Sequence, residues 1–193
     1  ELNDSIYVDD IANSFMTENE CDKFMSETDS ILSNMSCQLK EWSTTLSYNN
    51  ETQNVLCLAW HHLNDELKPK ISKISADVRL KLTKRNFLSL IASMWDPIGI
   101  LTPLITYGKQ IMREIWIEKL NWDNELPVLL AEKCSKFLEY HNKLSDIVVK
   151  RTLVPFDPSE VELHCFGDAS QIAYATVIYI VTKGVNSEIS CNF

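Results

Sequence analysis

The sequence predicts an α/β chain of the α+β kind, with helices and strands grouped in separate stretches. Three observations predict it. Apolar residues recur at helical spacing between capping signals in the middle of the chain, period-two alternation takes over after Ile147, and short β-branched and aromatic runs bounded by polar residues occur in the first third. With 193 residues, 45% of them hydrophobic and 23% charged, there is apolar surface for one or two globular cores. No apolar run nears the roughly 18–20 residues of a bilayer span, so no membrane partner is expected. The four glycines exclude a Gly-rich phosphate loop or a dinucleotide fingerprint.

The elements follow in order. Ser5-Ile6-Tyr7-Val8 has strand composition and stops at Asp9-Asp10. Thr17 and Glu20 form a capping box, after which Cys21, Phe24, Met25, Thr28, Ile31, Leu32 and Met35 share one helical face. Strands are expected at Cys37–Trp42 and Val55–Trp60. Thr83 caps a helix reaching about Trp95, which Asp96-Pro97 ends. Thr102-Pro103 reads as N-cap and first helical residue of a helix to about Leu120, its core stripe being Leu104, Ile111, Met112, Ile115 and Trp116. A third helix starts near Pro127 and turns Leu130, Cys134, Phe137, Leu138 and His141 inward. Val161, Leu163 and Cys165 then alternate with Glu162, His164 and Phe166 along a strand. A break is expected at Gly167-Asp168-Ala169-Ser170, before a returning strand at Ala175–Val181.

Charge is distributed unevenly. The net −9 divides into −11 over residues 1–66, +6 over 67–122 and −4 over the remainder. Seven bases, Lys68, Lys70, Lys73, Arg79, Lys81, Lys84 and Arg85, are opposed within their segment only by Asp77. Such a segment is either a solvated face or a phosphate-contacting patch, because contact depends on the local field rather than the net charge. The six cysteines form no C-x-x-C pair and have no zinc-ligand spacing with His61-His62. Reduced thiols and an intracellular location are expected.

Tyr7-Val8-Asp9-Asp10 carries the most chemistry. Two carboxylates directly after a strand suit a solvated turn, or a tight hairpin presenting hard oxygen ligands to Mg²⁺. The tetrapeptide matches the reverse-transcriptase signature Y-x-D-D, and the chain resembles the pol polyprotein of Bel/Pao-type LTR retrotransposons. Leu39-Lys40-Glu41-Trp42 and Val55–Trp60 are similar to that family's later palm segments. Thr83-Lys84-Arg85 through Asp96-Pro97-Ile98-Gly99-Ile100-Leu101-Thr102-Pro103 resembles the block that marks the Pao retrotransposon peptidase family. Trp116, Leu120-Asn121-Trp122-Asp123 and Leu126-Pro127 resemble the stretch after it, and Val161–Ser170 resembles the first strand of the attached RNase H domain.

The resemblance implies three regions: the end of a truncated reverse-transcriptase palm (1–66), a helical thumb/connection region (67–146) and the first strands of an RNase H-like fold (147–193). It implies that Asp9, Asp10 and Asp168 are metal-binding catalytic carboxylates for Mg²⁺, and that Tyr7 and Val8 lie near primer and nucleotide. The seven bases would meet an RNA/DNA template-primer, and the remainder of the pol polyprotein would be a partner. The third polymerase aspartate is expected upstream and further RNase H carboxylates downstream, so the chain alone is expected to be inactive. Cys57 stands where the family usually has Gly. Two alternatives remain: an aspartic peptidase, although Asp4-Ser5 and Asp29-Ser30 are each followed by Ile rather than Gly, and a non-catalytic binding remnant of a decayed element.

Overall fold

The computed structural model describes residues 2–45, 52–74, 81–154, 160–183 and 189–192. The chain forms two compact units, Glu1–Glu66 and Leu67–Phe193. Helices and small antiparallel sheets mix in it, as the α/β expectation requires.

In the first unit a single helical turn, α1 (Leu2–Ser5), precedes β1 (Ile6–Tyr7), so Ser5 is not the start of a strand. β1 pairs with β2 (Asp10–Ile11) in the register Ile6↔Ile11 and Tyr7↔Asp10. α2 (Glu18–Asn34) begins with the expected capping box: the Glu20 amide donates to Thr17 Oγ1 at 3.3 Å, and the Thr17 amide donates to Glu20 Oε2 at 3.1 Å. The expected strand at Cys37–Trp42 does not form. Trp42 instead folds back on α2, its Nε1–H donating to the Asp29 carboxylate at 3.1 Å and its ring meeting Phe24 edge-on at 6.3 Å. The expected single strand Val55–Trp60 is a hairpin of β3 (Gln53–Val55) and β4 (Leu58–His61). Its two turn residues, Leu56 and Cys57, have φ of +51° and +62°. Two consecutive positive φ values mark a type I′ turn, whose twist matches the flanking strands but which favours Asn-Gly.

In the second unit, β5 (Glu66–Pro69), at the junction of the units, lies beside β6 (Val149–Lys150). Three helices build the core: α3 (Lys84–Ala92), α4 (Thr102–Ile117) and α5 (Val128–Asn142). Thr83 caps α3 in a reciprocal box with Asn86. α3 stops at Ala92 rather than Trp95, the Ser93 hydroxyl donating to the Leu90 carbonyl at 2.8 Å. Leu101, not Thr102, occupies the N-cap position of α4, because the Thr102 hydroxyl donates to Asp96 Oδ2 at 3.0 Å. Phe87 and Phe137, both fully buried, meet edge-to-face at 5.3 Å, and Ile91, Ile111, Met112, Ile115 and Leu130 close around them. Cys134 is fully buried among them, and burial pushes its thiol up to about 12, so it serves as a small hydrophobe. Trp116, expected in the core stripe, is 51% exposed.

The C-terminal sheet is an antiparallel meander of β7 (Glu160–Ala169), β8 (Tyr174–Lys183) and β9 (Ile189–Asn192). β7 runs unbroken through Gly167, with Gly167↔Thr176 and Asp168↔Ala175 in register, so the expected break there does not occur. The turn lies later, where the Ser170 amide donates to the Ala173 carbonyl at 2.8 Å.

Two glycine exchanges should act in opposite directions. Cys57→Gly removes a Cβ from the left-handed region and should raise stability by about 1 kcal/mol. At Gly108, a Cβ would sit 2.7 Å from Phe137 Cε2 and 3.0 Å from Ile91 Cγ1. Gly108→Ala should therefore lose on the order of 1–2 kcal/mol, since overpacking outweighs the gain of about 1 kcal/mol in helix propensity. Urea midpoints of the two variants check both signs. His141 gives a pH dependence. It is buried, its Nε2 has no hydrogen-bond partner among the described residues, and burial holds its pKa below the ordinary 6.5. The unfolded chain then binds more protons, so this contribution is complete above pH 6.5 and is lost as the pH falls from there toward the lower folded value. His141→Leu should flatten that part of the stability profile between pH 7 and 5. Superimposable wild-type and variant profiles would remove His141 as the cause.

Candidate functional site

The Asp-Asp pair is set by the β1–β2 hairpin. Tyr7 and Asp10 face each other as the closing pair, leaving Val8 and Asp9 as a two-residue turn. Val8 has φ +56° and is 86% exposed. A positive φ at the first turn position alone fits a type II′ turn, where glycine is preferred. A β-branched residue there costs on the order of 1–3 kcal/mol, so the strained residue sits directly before the carboxylates.

The two aspartates differ in environment. Asp9 is exposed and makes no hydrogen bond or ion pair among the described residues. Asp10 is half-buried, and its Oδ2 accepts the Leu56 amide at 3.0 Å. That amide belongs to the turn of the β3–β4 hairpin, so Asp10 ties the tips of the two hairpins together across 46 residues of sequence. Hard carboxylate oxygens suit Mg²⁺, and this pair offers both oxygens of Asp9 and the remaining one of Asp10. Among the described residues no group of three or more His, Cys, Asp or Glu side chains gathers around a common point. The pair therefore fits part of an octahedral shell that water, phosphate oxygens or another carboxylate must complete.

Asp168 belongs to the second unit. It lies one residue from the end of β7 on the face that also carries Glu162, His164 and Phe166, opposite to Val161, Leu163 and Cys165. Its Oδ1 accepts the Ala169 amide at 2.8 Å, and His164 pairs with Glu162 at 2.8 Å. Gly167 has ordinary space for a Cβ, its nearest neighbours lying 3.7 Å away, and has no positive φ, so the strand does not require a glycine there.

The basic segment divides by environment. Lys70, Lys73 and Lys81 are exposed, Lys68 is half-buried, and Arg79 lies outside the described residues. Lys84 is 4% exposed, its Nζ held 3.1 Å from the centroid of Trp116 and 5.0 Å from that of Trp122. Arg85 binds Asp123 bidentately at 2.7 and 3.0 Å, and this hydrogen bonding holds the Asp123 carboxyl below the usual carboxylate range. Lys84 is thus withdrawn from a phosphate by packing, and Arg85 is engaged by a carboxylate.

Sequence reasoning missed Lys109 and Arg113. Both are exposed and have no ion-pair partner among the described residues, and with Trp116 they follow i, i+4, i+7 spacing on α4. That spacing was visible, but Trp116 had been assigned to the core. Of the two aspartates weighed for a peptidase, Asp4 lies in α1, and Asp29 lies within α2 and accepts the Trp42 indole; neither occupies a D-[ST]-G turn.

Among the described residues no helix is long and apolar enough to cross a membrane. Searches of curated proteins and of solved structures found no match. A scan against protein-family models matched residues 83–193 to the Pao retrotransposon-like RNaseH-like domain. The match starts at the residue capping α3, and takes in the three-helix core as well as the β7–β9 meander. Since it spans more than half of the 193 residues, the chain belongs to the Pao retrotransposon-like RNaseH-like domain family.

Proposed function

We propose that this chain is a segment of a retrotransposon pol polyprotein in which the end of a reverse-transcriptase palm (1–66) leads through a helical thumb/connection region into an RNase H-like domain, and that it binds an RNA/DNA template-primer. The observation that carries the polymerase part is the hairpin turn bearing Asp9 and Asp10, with Asp9 wholly free and Asp10 anchoring a second hairpin beside it. Family membership supports the retrotransposon origin and the RNase H-like part.

In this reading Asp9 and the free oxygen of Asp10 hold Mg²⁺ in the polymerase centre, and Asp168 holds it in the RNase H centre. Bound Mg²⁺ would supply charge stabilisation at the attacking and leaving oxygens of phosphoryl transfer. The chain's own contribution is positional. The Asp10–Leu56 contact fixes the β3–β4 turn beside the carboxylates, and the strained Val8 turn keeps Asp9 projecting. Exposed Lys70, Lys73 and Lys81 meet backbone phosphates without reading sequence.

The isolated chain should bind an RNA/DNA hybrid weakly and without sequence preference, with log K falling against log salt at a slope of about −3 for three phosphate contacts. Replacing Lys70, Lys73 and Lys81 together by Ala should abolish most of that slope. Primer extension on the same hybrid with Mg²⁺ should be undetectable, because two-metal phosphoryl transfer needs both ions held in place and this hairpin offers only the oxygens of Asp9 and one of Asp10. Salt-independent binding, or efficient extension by the pure chain, would overturn the reading.

A further inference from the structure

We infer that Trp116 and Trp122, with Lys109 and Arg113 leading up to them along α4, form a stacking surface for single-stranded nucleic acid. The inference deepens the nucleic-acid part of the proposed function and rests on it, but it assigns binding to residues outside the basic segment 68–85.

The two indoles meet at 5.4 Å with planes 85° apart, and each stays substantially open to solvent, Trp116 at 51% and Trp122 at 39% exposure. Large aromatic rings left in water are unfavourable unless something covers them. These rings are also held in place. The Lys84 ammonium lies against Trp116, and the Trp122 carbonyl accepts the Arg85 amide at 3.1 Å. Rigid aromatic groups lose little entropy when a ligand stacks on them.

The charge around the rings chooses the occupant. Lys109 and Arg113 sit seven and three residues before Trp116 on one stripe of α4, about 6 Å apart along the helix axis. Neither has an ion-pair partner among the described residues. The carboxylates of the same helix point elsewhere: Glu114 and Glu118 line the groove against α5, where Glu114 pairs with Lys133. Asp123, beside Trp122, is neutralised by Arg85. Open indole rings beside unpaired cations fit a polyanion with flat unsaturated rings, in which bases stack while phosphates follow the cations. A duplex hides its base faces, so the ligand is single-stranded.

The test titrates the full chain against three fluorescein-labelled single strands, (dT)16, (rU)16 and a 16-unit abasic sugar-phosphate chain, and against a labelled RNA/DNA hybrid, reading anisotropy and tryptophan emission. The (dT)16 and (rU)16 strands should bind at least tenfold more tightly than the abasic chain and quench tryptophan emission. Trp122→Leu, which leaves the Lys84–Trp116 contact in place, should remove most of that difference; a Lys109→Ala/Arg113→Ala double variant should weaken all three single strands alike. Circular dichroism confirms that each variant folds, and the wild-type comparison with the abasic chain needs no variant. If the abasic chain binds as tightly as the base-bearing strands, stacking is overturned while the nucleic-acid reading stands. If only the RNA/DNA hybrid binds, this surface is likewise rejected and the proposed function survives. If no nucleic acid binds, both are rejected.

Discussion

A lysine at the first position of a helix places a positive charge where the peptide dipoles already accumulate one. α3 begins with Lys84 and then Arg85, and its first turn has no acidic residue. Each cation there is opposed by the partial positive charge of the helix start. The second unit resolves the conflict by bringing residues 116–126 over the start of α3. Trp116 takes the Lys84 ammonium on its ring, and Asp123 takes the Arg85 guanidinium. The backbone completes the join: the Arg85 amide donates to the Trp122 carbonyl and the Leu126 amide to the Leu82 carbonyl, each at 3.1 Å, with Thr83 bridging Glu125. Because residues 116–126 connect α4 to α5, the charges at the start of one helix also fix how the other two enter the core.

The core behind that join is close-packed. Gly108 lets α4 come within van der Waals reach of Phe137 on α5 and Ile91 on α3, and the Phe87–Phe137 pair fills the centre. The first unit buries Phe24, Leu58 and Trp60 and adds polar contacts between local elements. Trp42 returns to Asp29, Trp60 Nε1–H donates to Asp65 at 2.9 Å, and Asp10 holds the Leu56 amide. One carboxylate in each contact fixes a loop or turn.

What could be read from the sequence was local. The capping box at Thr17, the helix cap at Thr83, the start of α5 after Pro127 and the β7–β8 alternation all depend on neighbours within a few residues, and all formed. The turn at Leu56-Cys57 was hidden because neither residue is a usual left-handed former, so an unbroken strand fitted the composition better. Trp42 looked like part of a strand because its true partners, Asp29 and Phe24, lie 13 and 18 residues back. Trp116 shows the limit of periodicity, which fixes the face of a helix but not whether a core, a cation or solvent lies against it. The candidate carboxylates were legible as a pair on a hairpin. That Asp10 is half-engaged was not, because its partner is a backbone amide 46 residues away.

The β7 strand carries a consequence for the protein in concentrated solution. Ten residues long, it pairs among the described residues with β8 alone, and both of its faces are exposed, with Leu163 at 66% and Phe166 at 57%. Long, apolar strand edges recruit a second strand, and they are where soluble proteins begin to aggregate. Here the sequence supplies a brake. If two such edges met antiparallel about His164, Glu160 of each would face Asp168 of the other, setting like charges together at both ends of the ladder. Those facing carboxylates oppose the pairing of two such edges, so the strand that carries Asp168 also limits its own self-association.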